Sequence, residues 1–139
     1  MLRKRCSEKG CELRLHGLTD YVVLNGDRIC PDRRMCDCII FSESDDLIVG
    51  IVELKGRTVH ANEVIDKLTN ASEVAVGILE SANRGRLSFQ MYHLVLAKRW
   101  STSEYTVLKQ KRITVRGRRR YIIPKRCGIS FSELMASLQ

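Results

Sequence analysis

The sequence lacks any long uninterrupted run of apolar residues. A helix needs about 20 predominantly apolar residues to cross a bilayer, and no segment of the 139-residue chain reaches that length. The basic residues at positions 1–5 are not followed by the apolar core of a secretory signal peptide. We therefore expect a cytoplasmic protein that has no membrane partner.

Several familiar motifs are also missing. The chain contains no glycine-rich phosphate-binding loop and no Ser/His/Asp arrangement of the kind that hydrolases use. His93 lies within an apolar stretch, which favours a hydrogen-bonded core histidine over a catalytic one. The chain is 44% hydrophobic and 29% charged and has no internal repeat or linker. We expect a single globular domain over residues 1–139.

Acidic residues are missing from one segment, residues 109–126, which carries nine Lys or Arg. The rest of the chain has 15 basic and 16 acidic residues, so this segment supplies all of the formal charge of +8. Such a block is typical of a phosphate-binding surface, although a solvated basic hairpin gives the same pattern. The predicted nucleic-acid contacts in it are Lys109, Lys111, Arg112, Arg116, Arg118, Arg119 and Arg120.

The chain has six cysteines, and their spacings, C-x4-C and C-x5-C-x-C, do not match a paired zinc knuckle. Free thiols, disulfides and a metal cluster all remain open. Disulfides are uncommon inside cells except in hyperthermophiles. The cysteines are Cys6, Cys11, Cys30, Cys36, Cys38 and Cys127.

The most informative stretch is Leu47–Lys55, an apolar run that ends in Glu53 and Lys55. Strand side chains alternate between faces, so these two charged groups point the same way. Asp37 sits in a second apolar run, residues 35–41. Burying an unpaired charge costs several kcal/mol. Acids on two neighbouring strands therefore indicate a shared ligand, most simply a divalent metal ion.

The pattern predicts a meander of three antiparallel strands over residues 21–24, 35–41 and 47–55. Asn25-Gly26 is expected as a turn, and residues 42–46 as a polar connector. An amphipathic helix over residues 61–74 and an interior strand over residues 89–98 then predict a right-handed parallel crossover. Residues 81–86 are expected to form a loop between them.

The remaining elements are predicted more locally. A short helix is considered over residues 7–15, and residues 99–106 are ambiguous. Residues 112–116 and 121–123 predict a hairpin with a basic tip at residues 117–120, closed by Pro124. Ser130 and Glu133 form a capping-box pattern that begins a C-terminal helix. Aromatic residues such as Trp100 and Tyr105 are expected to pack.

The residue types at the end of the central run suit phosphodiester hydrolysis. That reaction needs charge neutralisation at the phosphate and an activated water, and Mg²⁺ or Mn²⁺ held by two carboxylates supplies both. Asp37 and Glu53 are the candidate metal ligands, with the main-chain carbonyl of Leu54 as a third. Lys55 is the candidate for orienting or deprotonating the water, or for stabilising negative charge on the phosphate.

These residues resemble a known group of enzymes. Asp37, a polar connector, Glu53-Leu54-Lys55 after an apolar run, and an amphipathic helix resemble the PD-(D/E)XK nuclease superfamily over roughly residues 21–98. That group includes restriction endonucleases and Holliday-junction resolvases. The resemblance implies a restriction-endonuclease-like α/β fold, with a mixed sheet flanked by helices. It also implies metal binding by the two acids, assistance by Lys55 and a homodimer.

Other residues match the superfamily pattern less directly. The name-giving dipeptide occurs literally as Pro31-Asp32, but in a charged stretch, so Asp32 is the second choice after Asp37. Members often carry an acid on the first helix, for which Glu8 and Glu12 are the candidates. Lys67 matches a Gln or Lys position on the helix after the E-x-K strand, and it is a further candidate for nucleic-acid binding.

The leading hypothesis is a metal-dependent DNA endonuclease or exonuclease, either of low sequence specificity or selective for DNA structure. RNA stays open as a substrate. The alternative is a non-catalytic nucleic-acid-binding module on the same fold. A third hypothesis is a structural protein in which the cysteines hold a metal or form disulfides.

Overall fold

The structure, a computed structural model, describes residues 2–43, 46–56, 58–83 and 88–138. Over these residues the chain forms a mixed sheet of seven strands with helices packed against it. The predicted α/β class is thereby confirmed. The elements are β1 (Leu2–Arg3), β2 (Cys6–Glu8), β3 (Cys11–Leu13), β4 (Tyr21–Asn25), α1 (Gly26–Ile29), β5 (Cys38–Glu43), β6 (Leu47–Lys55), α2 (Ala61–Asn83), β7 (Phe89–Ala97), α3 (Thr102–Gln110), β8 (Arg112–Val115), β9 (Arg118–Arg126) and α4 (Phe131–Ser137).

The large sheet has the strand order β1-β4-β5-β6-β7-β9-β8. Strands β4, β5 and β6 form the predicted antiparallel meander. β5 begins at Cys38 rather than at residue 35, so Asp37 lies just before the strand and not within it. Asn25 does not form a hairpin turn with Gly26; its side chain instead caps α1 by accepting the N–H of Asp27. Of the expected connector, residues 44 and 45 lie outside the described residues.

Strands β6 and β7 are parallel and are joined by α2, as the crossover prediction required. The helix runs to Asn83 rather than to residue 74, because Ala75, Val76 and Leu79 continue its buried face. The loop expected over residues 81–86 is therefore wrong at its start. Its remainder, from residue 84, lies outside the described residues.

The N-terminal segment is a two-stranded hairpin, not the short helix considered over residues 7–15. Lys9 and Gly10 form its turn with φ angles of 48° and 79°, a pair of positive values that a two-residue hairpin turn requires. Two disulfides connect this hairpin to the rest of the fold, Cys6–Cys38 and Cys11–Cys127. Cys30 and Cys36 are free thiols.

The basic hairpin also differs from its prediction. Its turn is Arg116-Gly117, again with two positive φ angles, so the next three arginines belong to β9 and not to the tip. Pro124 does not close the hairpin, because β9 continues to Arg126 in parallel pairing with β7. β8 pairs with β9 only as far as Tyr121, so Pro124 removes no hydrogen bond from the β8–β9 ladder.

Capping side chains define the starts of the two helices near the C-terminus, α3 and α4. Residues 99–106 contain the start of α3, where the Ser101 side chain accepts the N–H of Glu104. The capping box of Ser130 and Glu133 at α4 is confirmed. The expected packing of Trp100 against Tyr105 is confirmed by an edge-on contact at 5.7 Å between ring centroids.

The sheet separates two apolar clusters. One contains Ile51 and Val95 and packs under α2, and the other contains Val52 and Leu96 and packs under α4 and the N-terminal hairpin. Cys36 and Cys38 are both buried, but they lie in different clusters. Because side chains alternate along a strand, the side chain of Glu53 faces α2, as that of Ile51 does.

His93 is the hydrogen-bonded core histidine that the sequence predicts. Its Nε2 lies 2.7 Å from Ser72 Oγ, and that hydroxyl donates its own hydrogen to the carbonyl of Leu68 at 2.6 Å. Nε2 is therefore the protonated ring nitrogen, and in the part of the chain that the structure describes Nδ1 has no hydrogen-bond partner. Burial, together with the positive charge of Arg120, lowers the pKa of His93 to about 4.

This buried imidazole predicts a loss of stability in acid. The folded-state pKa of His93 is below its usual value of 6.5, so its contribution is complete above pH 6.5 and falls as the unfolded chain takes up a proton. The loss reaches about 3 kcal/mol near pH 4. His93→Gln should flatten this part of the curve of unfolding free energy against pH. The control, His60→Gln, alters an exposed side chain, and an unchanged slope in His93→Gln would contradict the assignment.

The disulfide Cys11–Cys127 predicts a large contribution to stability, because it closes a loop across a sequence separation of 116. Cross-links over long loops restrict the unfolded chain most. Replacing both cysteines by Ala should lower the unfolding free energy by about 2–5 kcal/mol in chemical denaturation. Cys30→Ala, at a free and half-buried thiol, is the control. Equal effects of the two changes would show that the bond is not formed.

Candidate active site

Glu53 is a fully enclosed carboxylate at the carboxyl end of β6. Its side chain is 1% exposed. Lys67 of α2 and Lys55 of β6 both approach its Oε2, with their Nζ atoms at 3.0 Å and 3.5 Å. Its Oε1 is buried and has no hydrogen-bond partner among the described residues. The two ammonium groups balance the buried charge, and one oxygen is left free to accept a further ligand.

Asp37 lies one residue before the start of β5 and is hydrogen-bonded to β6. Its main-chain N–H donates to the carbonyl of Val52 at 3.0 Å, and its Oδ2 accepts the N–H of Leu54 at 2.7 Å. The N–H and C=O of one strand residue point to the same side. The Leu54 carbonyl therefore lies on the same strand edge as the Asp37 carboxylate.

The two carboxyl groups face each other closely enough to interact strongly. Burial and the negative charge of Glu53 raise the pKa of Asp37 to about 7. Burial acts to lower the pKa of Lys67, but the Glu53 carboxylate outweighs it and raises that pKa above its usual value. The site thus holds two acids whose mutual repulsion a cation placed between them would relieve.

The predicted residues Asp37, Glu53, Leu54, Lys55 and Lys67 all line one cavity of about 680 Å³. Its rim adds Glu8, a second-rank candidate, and residues that the sequence pattern did not select. Glu8 and Lys9 come from the β2–β3 hairpin, and the others follow the ends of β6 and β7. The described residues of the lining are Glu8, Lys9, Asp37, Glu53, Leu54, Lys55, Gly56, Thr58, Lys67 and Lys98.

One of the added residues had a usable sequence signal. Lys98 directly follows β7, and parallel strands bring their carboxyl ends to one edge of a sheet. Glu8 was a candidate, but it reaches the cavity from a strand and not from a helix, and Arg3 pairs with it at 3.3 Å. Glu12 and Asp32 do not line the cavity, and Asp32 lies in an exposed turn.

The predicted nucleic-acid contacts of the basic segment are not at this site. None of Lys109, Lys111, Arg112, Arg116, Arg118, Arg119 and Arg120 lines the cavity. The strand register explains why: Glu53 is level with Val95, which is level with Pro124. Arg118 lies six residues earlier on β9, about 20 Å along the strands. Only the end of the segment, at Arg126, is level with Lys55.

The residues of the cavity fit a magnesium ion. Among the described residues no group of three or more His, Cys, Asp or Glu side chains is placed to hold a metal. Mg²⁺, however, commonly takes only one or two carboxylates and keeps several waters. The two acids at 37 and 53, the free Oε1 and the adjacent carbonyl of Leu54 match that requirement.

Comparison with protein-family models, with curated proteins and with solved structures finds no match to the chain. The resemblance to the nuclease superfamily therefore stays a prediction from the sequence. No helix within the described ranges is long and apolar enough to pass through a bilayer.

The enclosed carboxylate predicts that Lys67 stabilises the fold. Lys67→Met removes one of the two positive charges next to Glu53 and should lower the unfolding free energy by about 1–3 kcal/mol. This loss of unfolding free energy is smaller than that expected for breaking a fully buried ion pair, because Lys55 remains next to Glu53 and Lys67 is partly in contact with water. Urea denaturation measures the change. Lys111→Met makes the same replacement at an exposed position, and an equally small effect at both would count against a buried ion pair.

Proposed function

We propose that the chain is a metal-dependent nuclease that hydrolyses phosphodiester bonds in DNA. The observation that carries the proposal is the convergence of Asp37 and Glu53, with Lys55 beside them, on one cavity. The two lysines next to Glu53 face a second acid, and the negative charge of Glu53, together with burial, raises the pKa of Asp37 to about 7. An acid with a strongly raised pKa in a cavity, beside a second acid, is typical of functional sites.

Asp37, Glu53 and the Leu54 carbonyl are the groups that would hold Mg²⁺ or Mn²⁺. When bound, such an ion neutralises charge on the phosphate and lowers the pKa of a bound water. Lys67 keeps the Glu53 carboxylate oriented through its contact at 3.0 Å. Lys55 is 20% exposed, so its ammonium group faces both Glu53 and the cavity. It is positioned to orient the attacking water or to stabilise negative charge that develops on the phosphate.

The rim of the cavity favours an anionic substrate. The described residues of its lining include four lysines and three acids, and a divalent ion would add two further positive charges. Lys9 and Lys98 project from different elements on the rim, where they suit contacts with the phosphate backbone. Phosphate contacts position a nucleic acid without reading its sequence. We therefore expect low sequence specificity or selection by DNA structure, and we keep the homodimer as an expectation from the resemblance.

Cleavage by matched variants tests the proposal. Purified protein with Mg²⁺ or Mn²⁺ should cut linear, single-stranded or branched DNA. Glu53→Gln and Asp37→Asn should each reduce the rate by more than about a hundredfold, because each removes a metal ligand. Asp32→Asn, at the exposed acid of the literal Pro-Asp dipeptide, is the control and should keep the wild-type rate. DNA binding in EDTA should persist in all four proteins.

Two results would overturn the proposal. If Asp32→Asn abolished cleavage while Asp37→Asn did not, the acid would be misassigned. If the wild-type protein bound DNA but cut none of these substrates with either ion, the non-catalytic binding module would be the correct function.

A further inference from the structure

A second cavity lies at the opposite end of the sheet from the acidic site. It measures about 350 Å³ and is formed between α2 and the start of β9. The strand register places it about 20 Å from Glu53 along the strands. It is lined by Val76, Leu79, Glu80, Ser88, Phe89, Val115, Arg116, Arg118 and Arg120.

The charges of this cavity are unbalanced. Its one acid, Glu80, is engaged by Arg116 at 2.8 Å. Within the part of the chain that the structure describes, neither Arg118 nor Arg120 pairs with a carboxylate. They are alternate residues of β9 and so face the same side. Burial and the charge of Arg118 lower the pKa of Arg120, and its Nε is buried with no hydrogen-bond partner in the described ranges.

An anion between these two guanidinium groups would remove that repulsion and satisfy the unused donors. Arginine presents its N–H groups in a planar fork that matches phosphate oxygens in pairs. The position of the cavity on the sheet separates this anion site from the acidic one.

The floor of the cavity adds a second requirement. Val76, Leu79 and Val115 are apolar, and Phe89 is partly exposed beside them. Arg120 already lies against the Phe89 ring, with its Cζ 5.8 Å from the ring centroid. A ligand that fills this space has an anionic group at one end and a flat, weakly polar body at the other. A nucleotide has this composition, whereas inorganic phosphate lacks the body and an acidic peptide lacks the flat ring.

We propose that this second cavity binds one unpaired nucleotide of a nucleic-acid strand, with its phosphate between Arg118 and Arg120 and its base against Phe89. The nucleotide is unpaired because a base paired within a duplex cannot turn its face to the ring. The proposal rests on the proposed function only in taking the nucleotide as part of a strand. It adds to that function a substrate class, a nucleic acid with a single-stranded portion.

Binding measurements in EDTA test this site without cleavage. The probes are deoxyadenosine monophosphate, inorganic phosphate and a single-stranded oligodeoxynucleotide. Arg118→Gln should weaken binding of the monophosphate and of the oligonucleotide by about tenfold or more, because it removes charged hydrogen bonds. The control is Arg119→Gln, which removes the same charge. The sequence pattern grouped Arg119 with the nucleic-acid contacts, but it lies on the other face of β9 and does not line this cavity, so binding should change less than about twofold.

Several outcomes would overturn the proposal. Equal losses in Arg118→Gln and Arg119→Gln would show a general effect of net charge. If inorganic phosphate bound as tightly as the monophosphate, the base would make no contact with Phe89. If the oligonucleotide failed to bind, the site would not hold a nucleotide that belongs to a strand. A glutamate-rich peptide that binds through Arg118 while nucleotides do not would make the site a peptide site.

Arg120→Gln is a second variant, and it should weaken the same probes as Arg118→Gln provided that its thermal unfolding matches the wild type. Arg118-dependent nucleotide binding by a protein that cuts no DNA would support this site while the proposed nuclease function failed. Cleavage with normal nucleotide binding in Arg118→Gln would show the reverse.

Discussion

The burial of the Glu53 carboxylate in the middle of an apolar sheet is the constraint on which the site depends. An acid that is 1% exposed requires compensation, and the fold supplies it from two directions. α2 brings Lys67 over the sheet, and β6 itself brings Lys55. Asp37, which lies beside β6 just before β5 begins, adds a second negative charge instead of compensating the first.

The N-terminal hairpin shows how the second face of the sheet is used. Strands β2 and β3 have three residues each, too few to form an independent core. Two disulfides fix them to the sheet, and this places Glu8 and Lys9 on the rim of the acidic cavity.

The location inside the cell stays a prediction. The disulfides are compatible with it in hyperthermophiles, whose intracellular proteins are often rich in them.

The parts of the fold that the sequence predicts are those fixed by periodicity. Alternation along Leu47–Lys55 placed Glu53 and Lys55 together, and the spacing after it predicted a crossover helix carrying Lys67. Disulfide pairing was not predictable, because six cysteines allow about 15 connectivities. The position of Arg118 was also missed. It depends on a two-residue turn and on a strand that continues through Pro124, and both follow from pairing with distant strands.

α2 relates the two cavities to each other. Lys67 reaches the acidic site and Glu80 lines the second cavity, and a separation of thirteen positions corresponds to about 20 Å of helix. The strand register gives the same separation independently. Because helix and sheet pack through one continuous apolar cluster, this distance is fixed by the core and not by a loop. A nucleic-acid strand that occupies both cavities must therefore extend along α2, whereas a mononucleotide can occupy only one cavity.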